Sequence, residues 1–200
     1  MRAEPYYDPF DFEIDDDPYP VWKTLRDSAP LYHNDKYGFY ALSRYSDVAR
    51  ELVNWQDYRS GRGTVIEVLL NGIEVPPGVI LFEDPPIHDL HRRLMSGVFT
   101  PRRMAAIEPL AREFCRRALD PLTDADSFDF IADLGAWMPM RTIGHGIHFC
   151  LGAALARVQA RVALEEVLTR WPDWEVDYDN ARHAHTTSVR GWATLPVRVR

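Results

Sequence analysis

Residues 144–152 read Gly144-His145-Gly146-Ile147-His148-Phe149-Cys150-Leu151-Gly152, and they carry the most specific local signal in the chain. Two glycines two positions apart permit backbone angles that other residues avoid, so the chain can wrap closely around a cofactor. An apolar stripe of helical spacing starts directly after Cys150. The positive end of that helix favours a thiolate over a thiol, and a thiolate in a glycine loop is well suited to be an axial ligand of haem iron.

Other interpretations of the same stretch are open. An isolated cysteine is more often an inert, buried apolar residue. His145, His148 and Cys150 would also suit three zinc ligands, although zinc sites favour paired C-x-x-C or H-x-x-x-H spacings with a fourth ligand, which the sequence does not offer. A helical scaffold without a cofactor is a further alternative.

The composition limits the class of protein. With 200 residues, of which 46% are apolar, the chain can bury a sizeable core in one domain or two small ones. Its 23 basic and 30 acidic residues give a net charge of −7, which argues against a general nucleic-acid binder. Cys115 and Cys150 make no disulfide framework, and the acidic segment 1–16 resembles no signal peptide. No apolar run approaches the ~18 residues of a membrane span, so we expect a cytoplasmic protein.

Local patterns predict a mainly α-helical chain with small β-sheets, an α+β fold. Residues 1–16 are expected to be a loosely ordered acidic lead-in, and 57–87 a packed loop near a pocket. The predicted elements are a helix starting at Asp17-Pro18, a hairpin over 31–44, a helix capped by Ser46, a helix from Thr100-Pro101 with a kink or break at Pro109, a helix after Cys150, and a C-terminal strand placed at a sheet edge because of Pro196.

The glycine-rich stretch resembles the haem loop of the cytochrome P-450 family, Phe-Gly-x-Gly-x-His-x-Cys-x-Gly. The matching residues are Gly144, Gly146, His148, Cys150 and Gly152, and Ile143 stands where the family has phenylalanine. The resemblance implies a soluble bacterial haem-thiolate monooxygenase with a shortened P-450 fold and haem b as cofactor. It also implies that Cys150 is the proximal iron ligand and that His148 contacts a haem propionate.

A second segment, residues 84–101, resembles the part of the family that leads into and through its C helix. His88 and Arg92 are four residues apart, so they share a helical face. Two cationic groups on one face can bind a carboxylate through charge-assisted hydrogen bonds. In the family these positions hold a haem propionate; the alternative is a solvated basic face.

The resemblance covers residues ~6–142 as the front part of the family and ~144–200 as its final part. What the family carries between them is absent: the long distal helix with its acid–alcohol pair, a Glu-x-x-Arg pair and a strand arginine. We interpret the string Glu113 to Arg116 as a coincidence. The expected organisation is a lead-in over 1–16, the front of the haem-thiolate domain over 17–143, and the haem loop, following helix and hairpin over 144–200.

The function implied by the resemblance is insertion of one oxygen atom from dioxygen into a small organic substrate. Electrons would come from a ferredoxin or flavin reductase, steered by a basic face of Arg93, Arg102, Arg157 and Arg161. We assign no catalytic residue. The alternative is a non-catalytic haem-binding remnant of an internal deletion. Because the distal segments are absent, we expect that the chain as it stands does not turn over.

Overall fold

The computed structural model describes residues 4–135, 150–187 and 189–200. Within these ranges the helices are α1 Phe12–Asp16, α2 Tyr19–Ser28, α3 Tyr45–Glu51, α4 Ile66–Leu70, α5 Ile87–Ser96, α6 Pro101–Leu119 and α7 Ala153–Arg170. The strands are β1 Leu31–Asn34, β2 Phe39–Leu42, β3 Ser127–Asp129, β4 Trp174–Val176, β5 Arg182–Ala184, β6 Gly191–Thr194 and β7 Pro196–Val199. Short 3-10 turns lie at Ile80–Phe82 and Asp120–Leu122, and a π turn at Phe130–Leu134. The prediction of a mainly helical chain with small sheets is confirmed.

Two compact units divide the chain, and the first comprises residues 4–90, 185–187 and 189. Its N-terminal segment is tied to the hairpin. The buried Asp8 carboxylate accepts a hydrogen bond from Lys36 Nζ at 3.0 Å, and Asn34 Nδ2 donates to the carbonyl of Tyr7 at 2.8 Å. These bonds, together with α1, make residues 4–16 more ordered than the loose lead-in we expected.

The predicted hairpin is present as β1 and β2, which pair antiparallel with Leu31 opposite Leu42. Gly38 ends its turn at a φ of +66°, a region that favours glycine. The loop over 57–87 contains α4 and is closed by one side chain. Asp84 accepts hydrogen bonds from the backbone N–H of Ser60 at 2.9 Å and of Gly61 at 3.0 Å. These bonds close the segment, but it is less packed than its apolar content indicated, because Leu69, Leu70, Val79 and Leu81 are exposed.

The second unit comprises residues 91–135, 150–184 and 190–200 and is organised around α6 and α7. Thr100 caps α6 as predicted, since its Oγ1 accepts a bond from Arg103 N at 3.5 Å. Pro109 does not split the helix, because α6 runs unbroken from Pro101 to Leu119 with Pro109 inside it. Pro101 stands in the first turn of α6, where proline suits a helix start.

The core of the second unit lies between the two helices and a three-stranded sheet. Phe128 and Trp171 stack within it, with ring centroids 5.0 Å apart. The buried residues of the core are Ala111, Cys115, Leu119, Phe128, Leu134, Val162, Ala163, Val167, Trp171, Val197 and Val199. The predicted helical stripes are only partly right: Ala111 of the stripe after Thr100 and Val162 of the stripe after Cys150 are among these residues, whereas Phe114 of the first stripe is 56% exposed and its neighbour Cys115 is buried instead.

The C-terminal strand β7 is central in its sheet, whose order is β3-β7-β4. Our prediction of an edge strand was therefore wrong. Pro196 is the first residue of β7, a position where its missing N–H costs no bond in the middle of the ladder. Its carbonyl still accepts from Asp177 N at 2.9 Å. Strands β5 and β6 form a separate antiparallel pair.

Two helix starts differ from the predicted ones. The N-cap of α2 is Pro18 rather than Asp17, and the N-cap of α3 is Arg44 rather than Ser46. Neither residue makes a side-chain capping bond. In both cases tertiary packing rather than a capping side chain sets the start, which sequence patterns do not reveal.

A network of ion pairs joins α6 to α7. Arg161 Nη2 lies 2.5 Å from Glu108, and Arg112 lies 2.6 Å from Glu165. Further along, Arg170 pairs with Asp120. The partners advance together along both helices, so α6 and α7 are parallel. The buried member of the network is Glu166, which is paired with Arg112, Arg116 and Arg170.

The charges of this network affect the ionisation of Glu166. Burial alone raises the pKa of Glu166, but hydrogen bonds from Arg170 and Arg112 outweigh burial and hold that pKa below its ordinary value. A lowered carboxyl pKa means that the unfolded chain binds the proton more tightly. The stabilisation is therefore present at neutral pH and is lost as the pH falls through the folded-state pKa.

The substitution Glu166→Gln should lower the free energy of unfolding at neutral pH by about 1–3 kcal/mol, because it leaves the half-buried guanidinium groups of Arg112 and Arg170 without the charge of their buried carboxylate partner. Urea unfolding at several pH values measures this. The variant and the parent should converge in acid, where Glu166 is protonated. Glu113→Gln is the matched control, since Glu113 is exposed and pairs only with its helix neighbour Arg117 among the contacts described, and should change stability by about 0.5 kcal/mol or less. A difference that persists unchanged in acid would contradict the role of Glu166.

Candidate functional site

Two predicted cofactor contacts, His88 and Arg92, lie on α5 one turn apart. His88 is 1% exposed, and its Nδ1 is 3.1 Å from Asp89 Oδ1. Arg92 is half-buried. The backbone N–H of His88 donates to the carbonyl of Asp84, so the loop-closing aspartate also anchors the start of this helix. The spacing of four residues does place both groups on one face, as the sequence predicted.

Cys150 lies at the start of α7 and is half-buried. Its carbonyl accepts a hydrogen bond from Ala153 N at 3.1 Å, and the carbonyl of Gly152 accepts from Ala156 N at 2.9 Å. These bonds make the turn that leads into the helix. Gly152 is the N-cap residue of α7. The structure thus places Cys150 just before a helix, as the sequence predicted, whereas the predicted loop before it lies outside the described residues.

Gly152 leaves room beside the sulfur. A Cβ placed on it would lie 3.9 Å from Cys150 Sγ and 3.7 Å from Phe99 Cε1. Its φ of −84° is open to any residue, so no backbone strain demands glycine here. The other predicted members of the haem loop, Gly144, Gly146 and His148, lie outside the described residues.

The two parallel helices place their N-terminal ends on the same side of the second unit. Thr100 caps one end and Gly152 the other, and a Cβ placed on Gly152 would lie 3.7 Å from Phe99 Cε1. The first turns of both described helices carry no acidic residue. Helix N-termini bear partial positive charge, so this end of the unit suits an anionic group such as a ligand sulfur.

The second cysteine, Cys115, occupies a different environment. It lies on α6, is 0% exposed, and packs among the core residues of the second unit. Burial raises the pKa of the Cys115 thiol, and the charge of Glu166 adds to that effect. A neutral, sealed thiol cannot hold a metal, so its interpretation as an ordinary helix residue stands.

The Glu-x-x-Arg string on α6 makes no internal pair among the contacts described. Glu113 bonds to Arg117 at 2.8 Å, whereas Arg116 faces Glu166 on α7 at 3.5 Å. The string is a coincidence of spacing, as the sequence analysis inferred.

The predicted basic docking face is changed by the ion-pair network. Arg161 is held by Glu108 and Glu165, so its charge is already balanced. Arg93, Arg102 and Arg157 are exposed. Sequence patterns missed the pairing of Arg161 with Glu108 because the two residues are 53 positions apart.

Sequence patterns also missed Phe99, although its place just before Thr100 is a position where apolar residues pack at helix starts.

Within residues 4–135, 150–187 and 189–200, no group of three or more His, Cys, Asp or Glu side chains is arranged to hold a metal ion. In the same ranges, no helix combines the length and the apolar character needed to cross a bilayer. The zinc alternative also needs His145 and His148, which lie outside the described residues.

Comparison with known proteins identifies relatives of one kind. The chain is 36% identical over 137 residues to the putative cytochrome P450 123 of Mycobacterium tuberculosis and 30% identical over 136 residues to its cytochrome P450 130. These matches cover 68% and 64% of this chain. The chain belongs to the cytochrome P450 family. No family model matches it.

The P450 relatives are longer than this chain, which spans about a third of the length of the curated relatives that it matches: 34% and 33% for the two above. The fold of this chain is also found in solved P450 structures. The structure of cytochrome P450 CYP109Q5 from Chondromyces apiculatus superposes with a TM-score of 0.80 at 17% identity, over 96% of this chain and 98% of that one. At that identity the likeness concerns the fold, which is a shortened P450 fold.

Proposed function

We propose that this chain binds haem b through the thiolate of Cys150 and that its function is haem-dependent monooxygenation of a small organic substrate. The observation that supports the proposal most strongly is the contrast between the two cysteines. Cys150 is half-buried where the N-terminal ends of α6 and α7 meet, whereas Cys115 is sealed in the core. Segments 17–143 and 144–200 would together form the haem-thiolate domain.

The residues around Cys150 fit a haem ligand. Cys150 is half-buried, Gly152 places no side chain beside its sulfur, and the first turns of α6 and α7 carry no acidic side chain. Glycines 144 and 146 would allow the loop to lie close to the macrocycle. Bound haem would supply the binding and activation of dioxygen, and the thiolate would donate electron density to the iron.

His88, Arg92 and His148 are proposed to hold the haem propionates. Arg92 is half-buried on α5, and a partly desolvated guanidinium binds a carboxylate more strongly than an exposed one does. Electrons would reach the site from a ferredoxin or flavin reductase. With Arg161 neutralised, Arg93, Arg102 and Arg157 remain to attract an acidic donor. We also propose a cytoplasmic location, because Cys115 and Cys150 form no disulfide in the structure.

Cys150→Ser should abolish the red-shifted, thiolate-type band in the ferrous–carbonyl difference spectrum of the haemin-reconstituted chain, because a hydroxyl does not replace a thiolate as an iron ligand. Cys115→Ser is the matched control, and it should keep the band. The reverse pattern, with loss of the band only in Cys115→Ser, would overturn the assignment of Cys150.

Arg92→Ala should weaken haem retention by on the order of 10-fold, because one charge-assisted contact to a propionate is lost. Transfer of haem to apomyoglobin measures retention. Haem dimethyl ester has no carboxylates, so with it the difference between variant and parent should shrink. Arg93→Ala, on the exposed side of the same helix, is the control. Equal retention by Arg92→Ala and the parent would show that Arg92 does not bind haem.

Coupled product formation should be absent when the chain alone is supplied with haem, a ferredoxin system, NADPH and aromatic and lipid substrates, and peroxide should form instead. Coupling needs a closed distal wall that excludes water and orders proton delivery. The helices that such segments would cover are exposed: Leu110 and Phe114 on α6, Leu164 and Leu168 on α7. Product that depends on Cys150 would contradict this expectation and leave a complete enzyme.

A further inference from the structure

Phe99 is the half-buried residue of an otherwise exposed stretch. Residues 93–98 and 100–103, which connect α5 to α6 and begin α6, are all exposed, whereas Phe99 between them is not. It directly precedes Thr100, the N-cap of α6. The start of α6 therefore fixes where this ring is held.

The ring of Phe99 lies against the turn that carries the thiol. A Cβ on Gly152 would be 3.7 Å from Phe99 Cε1 and 3.9 Å from Cys150 Sγ, which are both ordinary contact distances. The ring and the sulfur therefore flank the same backbone position without strain. The φ of Gly152 demands no glycine, and a Cβ would fit there at ordinary contact distances, so the ring borders the small space that Gly152 leaves beside the sulfur.

The turn has few restraints of its own among the contacts described. Gly152, the N-cap residue, has no side chain that could cap α7, and the carbonyl of Cys150 accepts a hydrogen bond from Ala153 N at 3.1 Å. Water competes with such terminal bonds unless an apolar group covers them. The Phe99 ring is an apolar group that lies near this turn.

We propose that Phe99 is a positioning residue for Cys150. Its ring braces the turn over 150–152 against the end of α6 and shields one side of the sulfur from water. For its role in haem ligation this inference rests on the proposed function. The packing itself requires no haem, so it can be tested in the haem-free chain.

The test is the rate at which iodoacetamide alkylates each cysteine of the folded, haem-free chain, assigned by peptide mass spectrometry. Phe99→Ala should raise the Cys150 rate by about 3-fold or more, since reactivity follows exposure and local opening. Phe99→Leu should lie between that variant and the parent. Phe114→Ala is the matched control, because Phe114 is 56% exposed on α6, and it should leave the rate unchanged.

Cys115 reports whether a variant has unfolded, because it is 0% exposed in the folded chain. If Phe99→Ala makes Cys115 react quickly, Phe99→Leu carries the test instead. A raised Cys150 rate with a slow Cys115 then supports the proposal. A Cys150 rate equal to that of the parent in the folded variant overturns it.

The haemin-reconstituted chain separates this proposal from the proposed function. With haem bound, Phe99→Ala should reduce the share of the red-shifted carbonyl band relative to Phe114→Ala at equal haem content. If the parent shows no such band but the alkylation effect is present, haem ligation fails and the placement of Phe99 stands. If the parent shows the band but Phe99→Ala alkylates at the parental rate, the Phe99 proposal alone fails.

Discussion

The parallel packing of α6 on α7 is the constraint on which the second unit depends. Parallel helices bring like ends together, so their dipoles oppose the arrangement. Ion pairs between the helices offset that cost, and buried Glu166 accepts from arginines of both helices. The same arrangement places the cap of α6 and the turn at Cys150 side by side. Cys150 therefore lies at an end of the unit that carries partial positive charge and has an apolar ring nearby. Both features follow from the parallel packing of α6 and α7.

Much of this could be predicted from the sequence where the signal is local. The cap at Thr100, the hairpin at Gly38 and the stripe after Cys150 are set by neighbours within a few residues. What could not be predicted depends on distant partners. Pro196 indicated an edge, yet β3 and β4 both pair with β7. Arg161 looked free for a partner protein, yet Glu108, 53 positions earlier, binds it.

The residues of the candidate site could also be predicted only where the signal is local in the sequence. The loop motif predicted the place of Cys150, and the spacing of His88 and Arg92 predicted a shared face on α5. Nothing in the loop pointed to Phe99, because its contact with Gly152 spans 53 positions and arises only when α6 and α7 align.

The central claim is that the sulfur of Cys150 binds haem iron. Iron K-edge X-ray absorption of the haemin-reconstituted parent chain tests it most directly, because sulfur scatters more strongly than the nitrogens of the macrocycle and lies at a longer distance from iron. The account predicts one sulfur atom in the first shell of the iron. A first shell of nitrogen and oxygen alone, at full haem loading, would contradict it.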